Sequence, residues 1–394
     1  MAQVAVARPH RPPFWRNVRI LRVLGQVVFV IVLFLVLREL YLNLEFQIRR
    51  LGLDLSFDFL QRRAGFGIGE GITYSPNQSF LRAYQVGVVN TIRVASVGIL
   101  LTSILGLVIG VARLSPNWLL RKVAQVYVEA IRNTPVLIQI IFMAVLIGRV
   151  LPAIGGGLSL GGVAFLSNRG AAIPWLRATE GSGTWGLFLL GGVAAAALTW
   201  RWRTRVNERT GRAHHRVLWS CGAFVVVAAA GYVASGNPIR IDVPEALLRG
   251  YRGGFQMSPQ YAALLAALVI YTSAFVAEIV RGSILAVPKG QKEAAEAIGL
   301  TPAQQLRFVV LPQALRIALP PINSQYLNLA KNSSLAVAIA YPDLVSISRT
   351  IMNQSGRATQ MLLIVMGSYL VMSLFISFFM NILNRAVSRR GEQR

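Results

Sequence analysis

The sequence carries eight long apolar runs, and no other feature constrains its fold as strongly. A helix needs about 20 apolar residues to cross the hydrocarbon core of a bilayer, and most of these runs approach that length. The composition agrees, because 54% of the 394 residues are hydrophobic and only 14% are charged. We therefore predict an all-α integral membrane protein with about eight transmembrane helices, over residues 23–37, 86–111, 127–147, 185–199, 217–233, 261–280, 320–341 and 361–382.

Basic residues fall mainly in the breaks between the apolar runs and set the expected orientation. The net charge is +25, and membrane proteins keep most Lys and Arg residues on the cytoplasmic side. Segments 113–122, 200–216 and 281–316 and the C-terminal tail are basic, so we expect them and both chain termini in the cytoplasm. The external segments also carry arginines, so this bias is incomplete. Nucleic-acid binding is disfavoured because the basic segments lie between membrane runs.

Residues that could support catalysis, redox chemistry or metal binding are scarce. Cys221 is the only cysteine and lies in an apolar run, which excludes an intramolecular disulfide. The three histidines, His10, His214 and His215, lie in basic polar segments, which disfavours a histidine metal centre. No Gly-Lys pair occurs, so the chain has no Walker A loop. We predict no catalytic residues, no metal site and no cofactor in this chain.

The stretch Arg281–Gln313 is unusually polar for this chain and carries strong helix punctuation. A short helix is predicted over about Lys289–Ile298, and Gly299 follows it, where a helix end favours a residue that tolerates positive φ. Thr301-Pro302-Ala303-Gln304 then supplies an N-cap, a proline in the first turn and a capping-box glutamine. A second short helix is expected to end near Leu311-Pro312. The pattern predicts a structured cytoplasmic loop between two membrane helices.

This stretch resembles the EAA loop of bacterial ABC importer permeases. Val309 stands where the family usually has isoleucine, and the matching residues are Glu293, Ala294, Ala295, Gly299, Leu311 and Pro312. The resemblance implies that the loop docks on a separate ATPase subunit through Glu293, Ala294, Ala295, Gly299 and Leu300. That ATPase would bind ATP and Mg²⁺, so this chain is expected to be a transport subunit and not an enzyme.

Three further segments resemble the polar amino-acid branch of these permeases, which handles histidine, glutamate, glutamine, arginine and opines. They are YVEAIRNTPVLIQ, SAFVAEIVRGSILAVPKGQ and LAKNSSLAVAIAYPDL. The long first external loop and an extra pair of spans resemble the long general L-amino-acid permease subunits. The resemblance implies a five-helix permease core with an N-terminal anchor helix and an inserted helix pair. It also implies import of L-amino acids with broad specificity.

The same resemblance implies an assembly in the bacterial inner membrane. Its other members would be ABC ATPase subunits, a second permease that is a different chain, and a periplasmic amino-acid-binding protein. We expect the chain to be organised as a cytoplasmic tail (1–22), an anchor helix (23–41), a periplasmic loop (42–85), the first part of the core (86–150), inserted loops with a helix pair (151–258), the second part of the core (259–384) with the EAA loop (281–313), and a cytoplasmic tail (385–394).

Polar residues inside the predicted spans are candidates for a substrate path, because they are costly in a membrane unless they meet a partner or water. Asn90 and Thr91 lie early in the second span. Gln325, Asn328 and Asn332 recur at i, i+3 and i+7 in the seventh span, so they share one helix face. This face is either a substrate path or a hydrogen-bonded seam between helices.

The neutral side chains on this face bear on selectivity. Cation-selective members of the resembling family tend to have a glutamate and an aspartate at the positions of Gln325 and Asn332. Amides donate and accept hydrogen bonds but bring no fixed charge. The departure argues against selection of arginine or lysine by a carboxylate pair and favours broader specificity.

Two pairs of opposite charges lie near span ends. Glu129 and Arg132 are three residues apart on one helix face, and so are Glu278 and Arg281. Each pair is a candidate gate or structural ion pair. Pro135 should kink the third span, because proline lacks the backbone donor and clashes one turn back.

The alternative function is an ion-gradient-driven secondary amino-acid transporter or channel. Such a protein needs no loop for docking an ATPase, so the polar stretch Arg281–Gln313 argues against it. An intramembrane enzyme is disfavoured because no catalytic constellation occurs.

Overall fold

The structure is a computed structural model that describes residues 18–50, 56–153, 158–211, 215–247 and 250–392. Of the cytoplasmic tails expected from the sequence, residues 1–17 and 393–394 lie outside this part of the chain. The described helices are α1 (Val18–Arg50), α2 (Phe80–Ala112), α3 (Trp118–Arg132), α4 (Val136–Val145), α5 (Ser182–Thr210), α6 (Arg216–Ala234), α7 (Pro259–Leu285), α8 (Lys289–Ala297), α9 (Pro302–Gln305), α10 (Leu311–Asn332), α11 (Leu344–Ser355) and α12 (Ala358–Glu392).

The chain divides into two compact units, Met1–Phe59 and Leu60–Arg394. In its described residues the first unit consists mainly of helix α1. Its apolar side chains are exposed, as at Phe29 (66%) and Phe34 (65%). The part Leu21–Gln47 is long and apolar enough to cross a membrane. This is the helix that the sequence predicted as an anchor.

The second unit contains the remaining candidate spans. Across the described residues, six helices could each cross a membrane by length and composition, and two bent helix pairs could raise the number to eight. The bent pairs are α3 with α4, at 103°, and the helical stretch Pro302–Ile339 with α11, at 55°. An all-α membrane protein with about eight spans is therefore confirmed.

The third predicted span is broken rather than kinked. Helix α3 ends at Arg132, and α4 starts after Pro135. The amide of Gln139 donates to the carbonyl of Ile131 (2.9 Å), which is the acceptor that a backbone N–H at position 135 would have used. It also donates to the carbonyl of Thr134 (3.0 Å). These bonds stabilise a sharp bend inside apolar surroundings, where unpaired carbonyls are costly.

Two sequence predictions about loops are wrong. Arg121 and Lys122 were expected in a short loop, but they belong to α3, which begins at Trp118. The second short helix was expected to end near Leu311-Pro312. Instead, α9 continues through a π-helical turn, Leu306–Val310, into α10. Pro312 is the second residue of α10, which directly follows the π-helical turn.

Short strands outside the membrane helices were not predicted. A four-stranded antiparallel sheet has the order β1-β2-β3-β8, and two further two-stranded antiparallel pairs are β4-β5 and β6-β7. The strands are β1 (Leu158–Leu160), β2 (Ala164–Ser167), β3 (Gly170–Ile173), β4 (Trp175–Ala178), β5 (Ile239–Asp242), β6 (Glu245–Leu247), β7 (Gly250–Arg252) and β8 (Phe255–Met257). The pairs β3-β8 and β4-β5 join segments on both sides of the helical hairpin α5–α6, so long-range contacts create these two pairs.

Helices α2 and α7 form the centre of the second unit. Small buried residues recur every fourth position on α2, at Gly98, Thr102, Gly106 and Gly110. A Cβ at Gly106 would lie 2.6 Å from Val276 Cγ1, and one at Gly110 would lie 2.8 Å from the carbonyl of Ala277. This spacing allows two membrane helices to approach closely, as in other small-residue interfaces.

The close approach predicts the effect of a single methyl group. Gly106→Ala should push α2 away from α7 and destabilise the protein by about 1–3 kcal/mol, a typical cost of overpacking. The matched control is Gly367→Ala on α12, where a Cβ meets nothing within 4 Å. Thermal unfolding of the purified protein should show a lower midpoint for the first variant and an unchanged or higher one for the second. Equal midpoints would contradict this account of the interface.

Candidate transport site

The polar segment between α7 and α10 is a helical hairpin with well-defined ends. Gly299 has φ +80°. Its N–H donates to the carbonyl of Glu296 (2.9 Å), and the N–H of Leu300 donates to that of Ala295 (3.1 Å), which together form a Schellman motif. Thr301 and Gln304 then form a capping box at the start of α9. The punctuation predicted from the sequence is confirmed at each of these positions.

The hairpin is attached to the membrane helices on one side and open on the other. Ala295 is buried, and the side chain of Gln313 on α10 donates to that of Gln291 on α8 (3.3 Å). Glu293, Ala294 and Gly299 are exposed and Leu300 is half-buried. Large apolar side chains are also exposed on this otherwise polar segment, namely Ile298 (76%), Leu306 (50%) and Phe308 (46%). Such a combination is typical of a docking surface.

The candidate polar face of α10 remains open in this chain. Gln325 and Asn332 are half-buried and Asn328 is exposed. The opposite side of the helix is packed, with Ile322, Leu329 and Ala330 buried. Within the described residues, the three amides form no hydrogen bond to another helix. An intramolecular hydrogen-bonded seam therefore does not account for them.

Asn90 and Thr91 are fully buried against the connection between α10 and α11. The Asn90 amide donates to the carbonyls of Pro342 (2.9 Å) and Glu70 (3.1 Å). The Thr91 hydroxyl accepts from the N–H of Leu344 (3.0 Å). Both side chains thus hold α2 to this connection, and in the described residues neither hydrogen-bonds to Gln325, Asn328 or Asn332.

Glu278 lies among three arginines where α2, α3 and α7 meet. It pairs with Arg113, which follows α2, and with Arg281 on its own helix (3.1 Å). Arg132 on α3 lies 3.9 Å from the same carboxylate and stacks on the ring of Phe275 (5.1 Å). One carboxylate therefore joins three helices.

The expected pairing of Glu129 with Arg132 is wrong. Arg132 turns towards Glu278 instead, because α3 packs against α7 and brings that carboxylate within reach. Glu129 accepts a hydrogen bond from the side chain of Gln125 (2.7 Å). The predicted pair of Glu278 with Arg281 is present.

A polar cluster that the sequence reasoning missed lies near the ends of α2 and α7. Glu70, from the segment before α2, accepts from the hydroxyl of Ser258 and lies 3.4 Å from Arg93. Burial raises the pKa of Glu70 above its usual value. Arg93 stacks between the rings of Phe255 (4.4 Å) and Tyr261 (4.6 Å). The available signal was Arg93 itself, a charge inside an apolar run.

A cavity of about 550 Å³ opens beside this cluster. Its walls come from the segment 66–70, the start of α7, the connection between α10 and α11, and α11 itself. Its polar lining residues are Glu70, Ser258, Gln260, Ser346, Arg349, Thr350 and Asn353. Their positions in the chain are far apart, so no sequence motif indicates this cavity.

Comparison with known proteins agrees with this arrangement. Residues 223–391 match the family described as "Binding-protein-dependent transport system inner membrane component". This region runs from α6 to α12 and includes the docking hairpin and α10. It covers the second part of the predicted core.

Three relatives match this chain over most of their length. The General L-amino acid transport system permease protein AapQ of Rhizobium johnstonii is 44% identical, over 83% of this chain and 82% of that protein. The putative amino-acid ABC transporter permease protein YhdX of Escherichia coli is 40% identical, over 93% of each chain. The Glutamate/glutamine/aspartate/asparagine transport system permease protein BztB of Rhodobacter capsulatus is 36% identical, over 91% of this chain and 92% of that protein.

The bent helices, the open polar face and the polar hairpin α8–α9, together with these matches, define a multi-span permease subunit of an ABC importer. More particularly, the chain belongs to the polar amino-acid family of ABC importer permeases. It is a transport subunit and not an enzyme, and ATP hydrolysis belongs to a separate subunit.

The Glu278 cluster predicts a measurable coupling between helices. Glu278→Gln should leave Arg113, whose side chain is 10% exposed, without its charged partner. We expect a loss of about 1–3 kcal/mol of stability. Adding Arg113→Met should recover part of the loss, because the uncompensated charge is then removed as well.

The control for this experiment is Glu180→Gln, at an exposed position before α5. Thermal unfolding midpoints of the three variants and the wild type, measured in one detergent, give the comparison. A Glu278→Gln variant as stable as the control would show that the cluster does not hold the three helices together.

Proposed function

We propose that this chain forms the membrane pathway for polar L-amino acids in an importer of broad specificity. The named relatives support the substrate class, since one is a general L-amino acid permease and another serves glutamate, glutamine, aspartate and asparagine. The amino acids would be delivered by a periplasmic binding protein and released into the cytoplasm.

The observation that carries this proposal is the open hairpin α8–α9. Its apolar side chains Ile298, Leu306 and Phe308 are exposed beside the resembling motif at Glu293–Ala295. A separate ATPase subunit, which would hold ATP and Mg²⁺, is the partner that such a surface serves in this family. Because α9 continues through the π-helical turn into α10, displacement of the hairpin would be passed directly to α10.

The polar face of α10 is the proposed substrate path. Gln325, Asn328 and Asn332 are not satisfied by other helices of the described chain, and such amides in a membrane protein need water, substrate or a partner subunit. Neutral amides can bond to the polar groups of several amino acids without selecting one charge. A second, different permease chain would close this path from the other side and form a heterodimer with this one.

We further propose a bacterial inner-membrane location with both termini in the cytoplasm. The basic end of the hairpin α5–α6 and the basic segment around α8 and α9 would then share the cytoplasmic side, as the distribution of charge favours. The small sheets β1–β8 would lie in the periplasm.

The conformation of Gly299 allows a test of coupling. Gly299 has φ +80°, and a Cβ there would meet nothing within 4 Å, so Gly299→Val acts through backbone strain alone. A strain of about 1–3 kcal/mol should disturb the end of α8. Substrate uptake and transport-stimulated ATP hydrolysis by the assembled complex should fall together.

Gly290→Val is the matched control for this test. Gly290 lies in the same hairpin, also has free space around it, and has no positive φ. It should keep near wild-type uptake and hydrolysis. The comparison requires that both variants assemble into the complex equally well. If both variants lose uptake and hydrolysis, or if neither does, the backbone conformation at Gly299 does not couple hydrolysis to transport.

Substrate preference can be tested on the face of α10. Introducing carboxylates by Gln325→Glu with Asn332→Asp should favour cationic over acidic amino acids. A charge pair at 4 Å contributes about 4 kcal/mol at an effective dielectric of about 20. Desolvation removes much of this, and a net preference of roughly tenfold remains.

The measurement is the ratio of arginine to glutamate uptake at saturating cargo, so that the binding protein does not select first. Gln354→Glu, exposed on α11 away from this face, is the control and should leave the ratio unchanged. An unchanged ratio in a stable double variant would assign the face to packing against the partner permease.

Orientation is tested by reporter fusions. A reporter after Arg205 in α5 should be cytoplasmic, and one at Gly253, between β7 and β8, should be periplasmic. Only α6 separates the two points as a membrane span, so they should lie on opposite sides. Reversed locations would overturn the proposed topology, and equal locations would show that α6 does not cross the membrane.

A further inference from the structure

The helical hairpin α5–α6 is a separate membrane element within the second unit. Its two helices pack against each other, with Trp185 donating to the carbonyl of Ala228 (3.0 Å) and Phe224 lying 3.0 Å from a Cβ placed at Gly192. Among the described helices, α5 and α6 contact only each other extensively. Their outward apolar side chains, such as Leu187 (69%) and Val226 (68%), are exposed. The hairpin surface is therefore suited to lipid.

Tryptophans and arginines are interleaved at the end of the hairpin where α5 joins α6. The guanidinium of Arg203 on α5 lies over the ring of Trp219 on α6 (4.2 Å) and over that of Trp202 (4.7 Å). The guanidinium of Arg216 on α6 lies over Trp200 on α5 (4.9 Å). A tryptophan on each helix therefore stacks on an arginine of the other helix, and this stacking positions both guanidinium groups.

The positive charge at this end is not balanced by the described protein. Segment 200–216 contains six arginines and a single acidic residue, Glu208. Within the described residues, none of its arginines forms an ion pair with a carboxylate. The Nε of Arg203 is buried and has no hydrogen-bond partner. Stacked guanidinium groups keep donors free at their edges, so this arrangement suits an anion with several oxygens.

We propose that the joined end of α5 and α6 binds the headgroup of an anionic phospholipid. The lipid phosphate would accept from Arg203 and Arg216, and its acyl chains would lie along the exposed apolar surface of the hairpin. Three half-exposed tryptophans, Trp200 (42%), Trp202 (57%) and Trp219 (54%), mark the depth of the headgroup region.

A lipid fits this site better than the acidic surface of a protein partner. The site lies at the end of two spans whose apolar sides are open, so a ligand with both a headgroup and acyl chains satisfies the two surfaces at once. The proposed ATPase surface is a different segment, α8–α9, more than 70 residues further along the chain. The site is also independent of the substrate and of the direction of transport.

The expected size of the effect follows from the charges. Each arginine at an anionic membrane surface contributes about a fivefold gain in affinity. Replacing Arg203 and Arg216 with glutamine should therefore lower affinity for an anionic lipid by roughly tenfold or more. Affinity for a zwitterionic lipid of the same chain length should not change.

The test uses the purified full-length chain in detergent, titrated with dioleoylphosphatidylglycerol or dioleoylphosphatidylcholine and observed by native mass spectrometry. The wild type should retain phosphatidylglycerol at least about fivefold more strongly. The double variant R203Q/R216Q should lose this preference. The control R240Q/R252Q removes two exposed arginines from β5 and β7 and should keep it. Equal retention of both lipids by the wild type, or equal loss in both double variants, would overturn the proposal.

Three further measurements keep the test decisive. A photoactivatable phosphatidylglycerol should label wild-type peptides within residues 200–219, and labelling confined to other segments would contradict the site even if the double variant does not fold. Soluble glycerol 3-phosphate should not displace the lipid, because it lacks acyl chains. Full displacement at equal concentration would show that the ligand is a free phosphate. Loss of ATPase assembly in R203Q/R216Q, without a change in lipid retention, would assign the arginines to a protein partner instead.

Discussion

The close packing of α2 against α7 is the interaction on which the rest of the second unit depends. Gly106 and Gly110 let the two helix backbones approach more closely than any side chain with a Cβ would allow. At one end of α2, this approach brings Arg113 to Glu278. Towards the other end, Asn90 and Thr91 reach the connection between α10 and α11. In a bilayer, where apolar surface gains nothing by leaving lipid, such contact and hydrogen bonding are what hold helices together.

Polar groups in this membrane protein fall into two sets with different physical roles. Asn90 and Thr91 on α2 are buried and hydrogen-bond to the connection between α10 and α11, so they stabilise that connection. The amides at Gln325, Asn328 and Asn332 are left open on a helix whose other side is packed. One side of α10 is therefore fixed by packing, while the side that we propose as the substrate path stays open. The hairpin α8–α9 shows the same division, since Ala295 is buried and Ile298 is exposed.

Sequence reasoning succeeded where the determinants are local. The turn at Gly299 and the capping box at Thr301 and Gln304 involve residues within one helical turn, so their spacing was sufficient to predict them. The predicted pairing of Arg132 with Glu129 was wrong, because a long arginine side chain can also reach a carboxylate on another helix. The competing carboxylate, Glu278, comes from another helix and lies closer in space. The pairs β3-β8 and β4-β5 were missed for a similar reason, since each forms across the whole inserted hairpin.

The sequence by itself determined that the chain crosses a membrane about eight times, that a polar helical hairpin separates two of its membrane helices, and that it carries no P-loop. These properties follow from apolar run length, helix punctuation and the presence or absence of a short motif. Only the tertiary structure decided which charges pair, which amides remain open, where the cavity beside Glu70 lies, and that Arg203 and Arg216 stack across two helices. Each of these depends on distances between residues far apart in the chain, and helix packing sets those distances.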